Sequence, residues 1–84
     1  MNHMHKEWRV RIKRDPREFM IASMRRQMGW SQEYLAGIIG YSKLYLLKLE
    51  KRRIPNPSIK VFGELSKAFG MTIDSLWRDY QNKQ

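Results

Sequence analysis

Trp30-Ser31-Gln32-Glu33-Tyr34-Leu35-Ala36-Gly37-Ile38-Ile39-Gly40-Tyr41-Ser42-Lys43-Leu44-Tyr45-Leu46-Leu47-Lys48-Leu49-Glu50 reads as two short helices joined by a tight turn. Ser31 and Ser42 can each cap a helix by accepting a backbone N–H of its first turn. Gly40 stands where the chain reverses, a position that favours the left-handed conformation. The first helix is predicted from Gln32 to about Ile39, with Leu35, Ala36 and Ile39 inward. A small residue at Ala36 lets the next helix cross closely at a steep angle. That next helix is expected from about Lys43 to Lys51. Helical spacing puts Ser42, Leu46 and Leu49 on one side, with Tyr45 and Glu50 on its flanks. The opposite side carries Leu44, Leu47, Lys48 and Lys51, with Lys43 at the margin.

Working upstream, Asp15-Pro16-Arg17-Glu18 reads as a helix start, with Asp15 as N-cap, Pro16 at the first position and Glu18 reaching back. That helix is expected to run to about Met28 and to end at Gly29, with Ile21, Met24 or Arg25, and Met28 inward. Met20, Met24 and Met28 are read as core and near-core packing. Before it, Trp8, Val10 and Ile12 alternate with Arg9, Arg11 and Lys13, a period-two pattern that predicts a strand. A lone strand needs a partner edge, so two copies are expected to pair there as an antiparallel ribbon. The rival reading is a basic arm laid along DNA.

Downstream, Lys51-Arg52-Arg53-Ile54-Pro55-Asn56-Pro57 is a basic loop, because each proline holds the residue before it extended. Ser58 then caps a helix with the stripe Ile59, Phe62, Leu65, Ala68 and Phe69, stopped by Gly70. Thr72 caps a last helix with Ile73, Leu76 and Trp77 inward, while Tyr80 and residues 81–84 are expected to fray. The fold class is therefore all-α with five helices and a short N-terminal strand or arm. Residues 1–14 form the arm and residues 15–84 the helical domain.

The chain has 84 residues, enough for one small domain. Lys and Arg number 17 against 8 Asp and Glu, giving a net charge of +9 and pointing to an anionic partner, nucleic acid first. There is no Cys, which removes disulfides and thiolate metal sites, and His3 and His5 lie in the polar N-terminus. No apolar run approaches the roughly 20 residues of a membrane span, and no signal-peptide core follows the basic N-terminus. A soluble, cytoplasmic protein is expected. Nothing resembles paired catalytic carboxylates or a Gly-rich phosphate loop, so neither enzymatic activity, a cofactor, a metal nor a small-molecule ligand is expected.

From Met24 to Trp77 the chain resembles the Cro and phage-repressor type helix-turn-helix family, also called the xenobiotic-response-element type. The resemblance rests on Arg25, Gly29-Trp30-Ser31-Gln32-Glu33, Leu35-Ala36, Gly40-Tyr41-Ser42, Leu49-Glu50, Pro57-Ser58-Ile59 and Leu65 to Asp74, in order and at the family's spacing. It implies a bacterial or phage-encoded transcriptional regulator, repressor-like, that binds a palindromic operator as a homodimer. It places Lys43, Leu44, Tyr45, Leu47 and Lys48 toward bases and Gln32 on a phosphate, with Ser42, Lys51, Arg52, Arg53 and Asn56 as further phosphate contacts. An Arg25–Glu50 pair is implied as structural. Dimerisation falls to Trp8, Val10 and Ile12, or to the last helix through Leu76, Trp77 and Tyr80. Two departures stand out: leucines replace the usual hydrogen-bonding readers at 44 and 47, and Arg52 occupies the position where the family commonly has Gly. The leucines leave open a second reading, a protein-interaction module such as an antitoxin or co-regulator with Leu44 and Leu47 as its contact patch.

Overall fold

The computed structural model describes residues 15–82. Among them the chain forms five helices: α1 Met20–Gln27, α2 Gln32–Ile39, α3 Lys43–Glu50, α4 Ile59–Phe69 and α5 Ile73–Gln81. Four begin as their sequences dictate. The hydroxyls of Ser31, Ser42, Ser58 and Thr72 accept from the N–H groups of Tyr34 (3.0 Å), Tyr45 (3.1 Å), Val61 (3.2 Å) and Ser75 (3.0 Å). Gly40 and Gly70 close α2 and α4 in the left-handed conformation, at φ 79° and 66°.

The start of α1 departs from expectation. Asp15 does not cap a helix. Its carboxylate instead accepts from the backbone N–H of Arg17 at 2.9 Å and from the Arg17 side chain, closing a turn over residues 15–18. Such a short acidic side chain offers the backbone a competing partner and holds it out of the helix. Glu18 pairs with Arg26 at 2.9 Å rather than reaching back. The chain then passes through Phe19 in an extended conformation, and α1 begins at Met20. Its orphan donors are met from afar: Phe19 N–H donates to the Glu50 carbonyl at 2.8 Å, and Met20 N–H to Asp79 Oδ2 at 2.7 Å. A side chain of α5 thus caps α1.

The core forms where the helices converge. Phe19, Ile21, Leu35, Leu46, Leu49, Val61, Leu65 and Leu76 are fully buried, with Ala36, Ile39 and Phe62 nearly so. Phe19, absent from the expected core, meets Tyr80 and Phe62 edge-on with ring centroids 4.9 and 5.9 Å apart. Ile59 and Ile73, expected inward, are exposed, Ile59 at 73 %. Each is the first residue of its helix, where side chains lean toward the N-terminus and past the end of the core. Met28 lies beyond α1 as its C-cap and is also exposed.

Tyr80 does not fray. It is buried, and its hydroxyl accepts from Ile54 N–H at 3.1 Å and donates to the Ile54 carbonyl at 2.7 Å. With Leu76 also in the core, only Trp77 of Leu76, Trp77 and Tyr80 remains partly open on the last helix. The expected strand of Trp8, Val10 and Ile12 lies outside the described residues. No helix among the described residues is long and apolar enough to cross a membrane.

Replacing Tyr80 by Phe strips both partners from the Ile54 backbone and is expected to lower the unfolding free energy by about 1–2 kcal/mol, read as a lower urea midpoint at unchanged slope. Burial pushes the Tyr80 phenol up from its ordinary value. The folded state therefore holds this proton more tightly than the unfolded chain. That contribution is present below about pH 10 and is lost as pH rises beyond it. The Tyr80→Phe variant should show a shallower alkaline loss of stability.

Candidate nucleic-acid interface

The exposed side of α3 is built from Lys43, Leu44 and Lys48, continued by Lys51 just past its end. Leu46 and Leu49 anchor the opposite side in the core, so the helix cannot rotate without exposing them. Leu44 is 61 % exposed, whereas Leu47 is only partly so. Tyr45 is half-buried and stacks on Tyr41 with centroids 4.7 Å apart. Burial, with Tyr41 close by, pushes its phenol up, so the hydroxyl keeps its proton at neutral pH. Tyr41 in turn shares a hydrogen bond with Ser58 at 3.1 Å, tying the turn to the cap of α4.

Glu50, the one acidic residue of α3, is buried and turned away from this face. Its carboxylate accepts from Arg25 Nε at 2.7 Å and Nη2 at 3.3 Å, and from Gln32 Nε2 at 3.0 Å. Arg25 also donates to the Trp30 carbonyl at 3.0 Å. The outer side of α3 is therefore left with positive charge alone. Gln32 commits one amide donor to Glu50 and keeps a second for an outside acceptor. The backbone N–H groups of Gln32 and Glu33 open α2 and have no acceptor within it, which favours an anion beside them. Ser42 is exposed at the start of α3 while its oxygen accepts from Tyr45 N–H.

The basic loop corrects one expectation. The Arg52 side chain, expected at a phosphate, is 5 % exposed and turned inward. Its guanidinium donates to the Asp79 carbonyl at 2.8 Å, the Tyr80 carbonyl at 3.1 Å, the Pro16 carbonyl at 2.8 Å and Asp79 Oδ2 at 3.2 Å. The last carbonyls of a helix lack intrahelical donors and carry partial negative charge, which a planar guanidinium with its several donors can meet. The backbone of Arg52 is left-handed, φ 57°. Arg52 N–H reaches the Leu49 carbonyl at 3.0 Å and Arg53 N–H the Lys48 carbonyl at 2.8 Å, the double closure usually made with Gly. Sequence reasoning noticed the missing Gly but not its use. Asp79, which it overlooked, has no local signal, because its partners lie some 27 and 59 residues away.

Lys51, Arg53 and Asn56 are exposed. Lys51 and Arg53 border a shallow recess with Asp15, Arg17 and Glu18, while Asn56 borders another with Trp77, Tyr80 and Gln81. The structure therefore gathers Lys43, Leu44, Lys48 and Lys51 along α3 and sets Asn56 beside α5. No group of acidic or histidine side chains suited to a metal ion occurs among the described residues.

A family model described as helix-turn-helix matches residues 21–76. No curated protein and no solved structure matches the chain significantly.

The Arg52 node can be tested by two substitutions. Arg52→Gly accepts the left-handed backbone but removes the guanidinium, and is expected to destabilise by about 2–4 kcal/mol. Arg52→Ala should cost about 1 kcal/mol more, because a Cβ remains where φ is positive. Urea denaturation of the three proteins checks the order, and an Arg52→Gly protein as stable as the parent contradicts it.

Proposed function

The chain belongs to the Cro and phage-repressor type helix-turn-helix family, a family of DNA-binding regulators, and we propose that it is a sequence-specific transcriptional regulator of double-stranded DNA. In this reading α3 enters the major groove of a palindromic operator, and a homodimer sets its two copies about one DNA turn apart, ~34 Å. It acts as a repressor in a bacterial cytoplasm, encoded by the bacterium, a phage or a mobile element. The observation that carries the reading is the outer side of α3: Lys43, Lys48 and Lys51 are exposed there, and the helix's single carboxylate is buried against Arg25.

Roles divide by chemistry. Lys43 and Lys48 can reach guanine O6 and N7 or a phosphate, and Tyr45 a phosphate or base edge. Gln32, Ser42, Lys51, Arg53 and Asn56 are assigned to phosphates, Arg53 and Asn56 beside the groove. Sparse hydrogen-bonding readers shift weight to phosphate contacts and DNA shape. Trp8, Val10 and Ile12 are assigned to the dimer contact as a ribbon between two copies. A protein-docking role for Leu44 and Leu47 is the weaker reading, because Leu47 is largely covered within its own chain.

Binding measured by fluorescence anisotropy across a salt series tests the assignments. Arg53→Ala should weaken binding to all sequences and reduce the salt slope by about one, whereas Lys48→Ala should also relax specificity. Undiminished operator binding by the Gln32, Lys48 and Arg53 triple alanine variant contradicts the reading. Removing residues 1–14 should yield a monomer by light scattering if the ribbon forms the dimer. An unchanged dimer with weaker DNA binding would mark the segment as an arm instead.

A further inference from the structure

Leu44 stands on the outer side of α3 among lysines. It is 61 % exposed, while Leu46 and Leu49 of the same helix are fully buried. An isolated exposed leucine is ordinary on a protein surface. This one sits in the first turn of the helix, next to Lys43 and four residues from Lys48, with no exposed acid on α3. A surface so charged favours a polyanion over an acid-poor apolar partner.

The first turn is also held in place. Ser42 accepts from Tyr45 N–H at 3.1 Å, Tyr45 stacks on Tyr41, and Tyr41 is tied to Ser58. The Leu44 backbone is thus presented in a fixed position rather than on a mobile loop. In the major groove the base edges offer chiefly donors and acceptors; the one large apolar group is the C5-methyl of thymine, where cytosine has only a C5–H. A leucine laid on guanine, adenine or cytosine would strip water from N7, O6 or an amino group and return no hydrogen bond. On a thymine methyl it would remove apolar surface from water on both sides. Attraction to one base and a desolvation penalty at the others act in the same direction.

We propose that Leu44 is a specificity-determining residue that reads a thymine methyl group in each half-site. The inference rests on the proposed DNA-binding function and adds to it the base recognised. Lysines, as mobile point charges, draw the helix to DNA and can reach guanine, and Leu44 adds an apolar discrimination that no amide or guanidinium on the exposed side of α3 provides.

The test begins by selecting bound duplexes from random DNA at a stated salt concentration. Each thymine of the selected site is then replaced singly by deoxyuridine, which removes the methyl and keeps every hydrogen-bonding atom. At one thymine per half-site the affinity of the parent protein should fall about fourfold, the equivalent of one buried methyl at about 0.8 kcal/mol. The Leu44→Ala protein, whose fold is checked by its thermal transition, should bind the thymine and uracil duplexes equally. Uracil sensitivity that persists in Leu44→Ala, or no sensitive thymine at all, overturns this inference while leaving DNA binding intact. A sensitive position selected as cytosine and strengthened by 5-methylcytosine overturns the assignment to thymine. Failure to retain any duplex overturns the inference and the DNA-binding reading together.

Discussion

The carboxylate of Glu50 is the point on which the arrangement of the first three helices depends. It is almost wholly buried, yet it accepts hydrogen bonds from Arg25 of α1 and Gln32 of α2 while sitting at the end of α3. The Glu50 backbone carbonyl adds Phe19 N–H. A buried ion pair returns little net stability, because both charges give up their water. Removing one partner would be severe, since the other would be left charged and dry, a loss of roughly 3–5 kcal/mol. The physical value of the pair is angular. A guanidinium and a carboxylate meet in a plane, which sets how α3 crosses the helices that support it.

A second polar node adjoins the first and fastens α5 to it. Asp79 caps α1 at Met20 and accepts from Arg52, whose guanidinium covers the end of α5. Tyr80, the next residue, clasps Ile54 in the loop. The loop after α3 is therefore fastened to α5 by two neighbouring residues of one helix. Arg52 tolerates a left-handed backbone because its side chain gathers acceptors that glycine could not reach. Together the nodes hold the C-terminal end of α3, Gln32 and Arg25 through Glu50, Asp79 and Tyr80 through the loop, while the Ser42 cap and the Tyr41–Ser58 hydrogen bond hold its start.

With its inner side committed to the core, its C-terminal end fastened by the two nodes and its start by the Ser42 cap, α3 presents a narrow, positively charged outer side with Leu44 as its exposed apolar side chain. That economy accounts for the division of labour proposed for it. Charge attracts, orients and reaches guanine, while the burial of a few carbon atoms adds discrimination at thymine. Hydrogen-bonding readers would be more selective per contact, but each would leave an unmet polar group on a wrong sequence, a constraint that a leucine imposes only by exclusion.

The sequence by itself determined the helices and their order. Ser31, Ser42, Ser58 and Thr72 cap through bonds three residues long, Gly40 and Gly70 stop helices through their own backbone freedom, and Arg25 with Glu50 was legible from the family's pattern. Among candidate site residues, the exposure of Lys43, Leu44 and Lys48 followed from helical spacing alone. Tertiary structure decided the rest. The true start of α1, the inward turn of Arg52, the burial of Phe19 and Tyr80, and the exposure of Ile59 all depend on partners distant in sequence or on where the core ends. Local rules describe bonds within one turn of chain. Asp79 and Arg52 act across tens of residues, and only when the helices have docked do their partners exist.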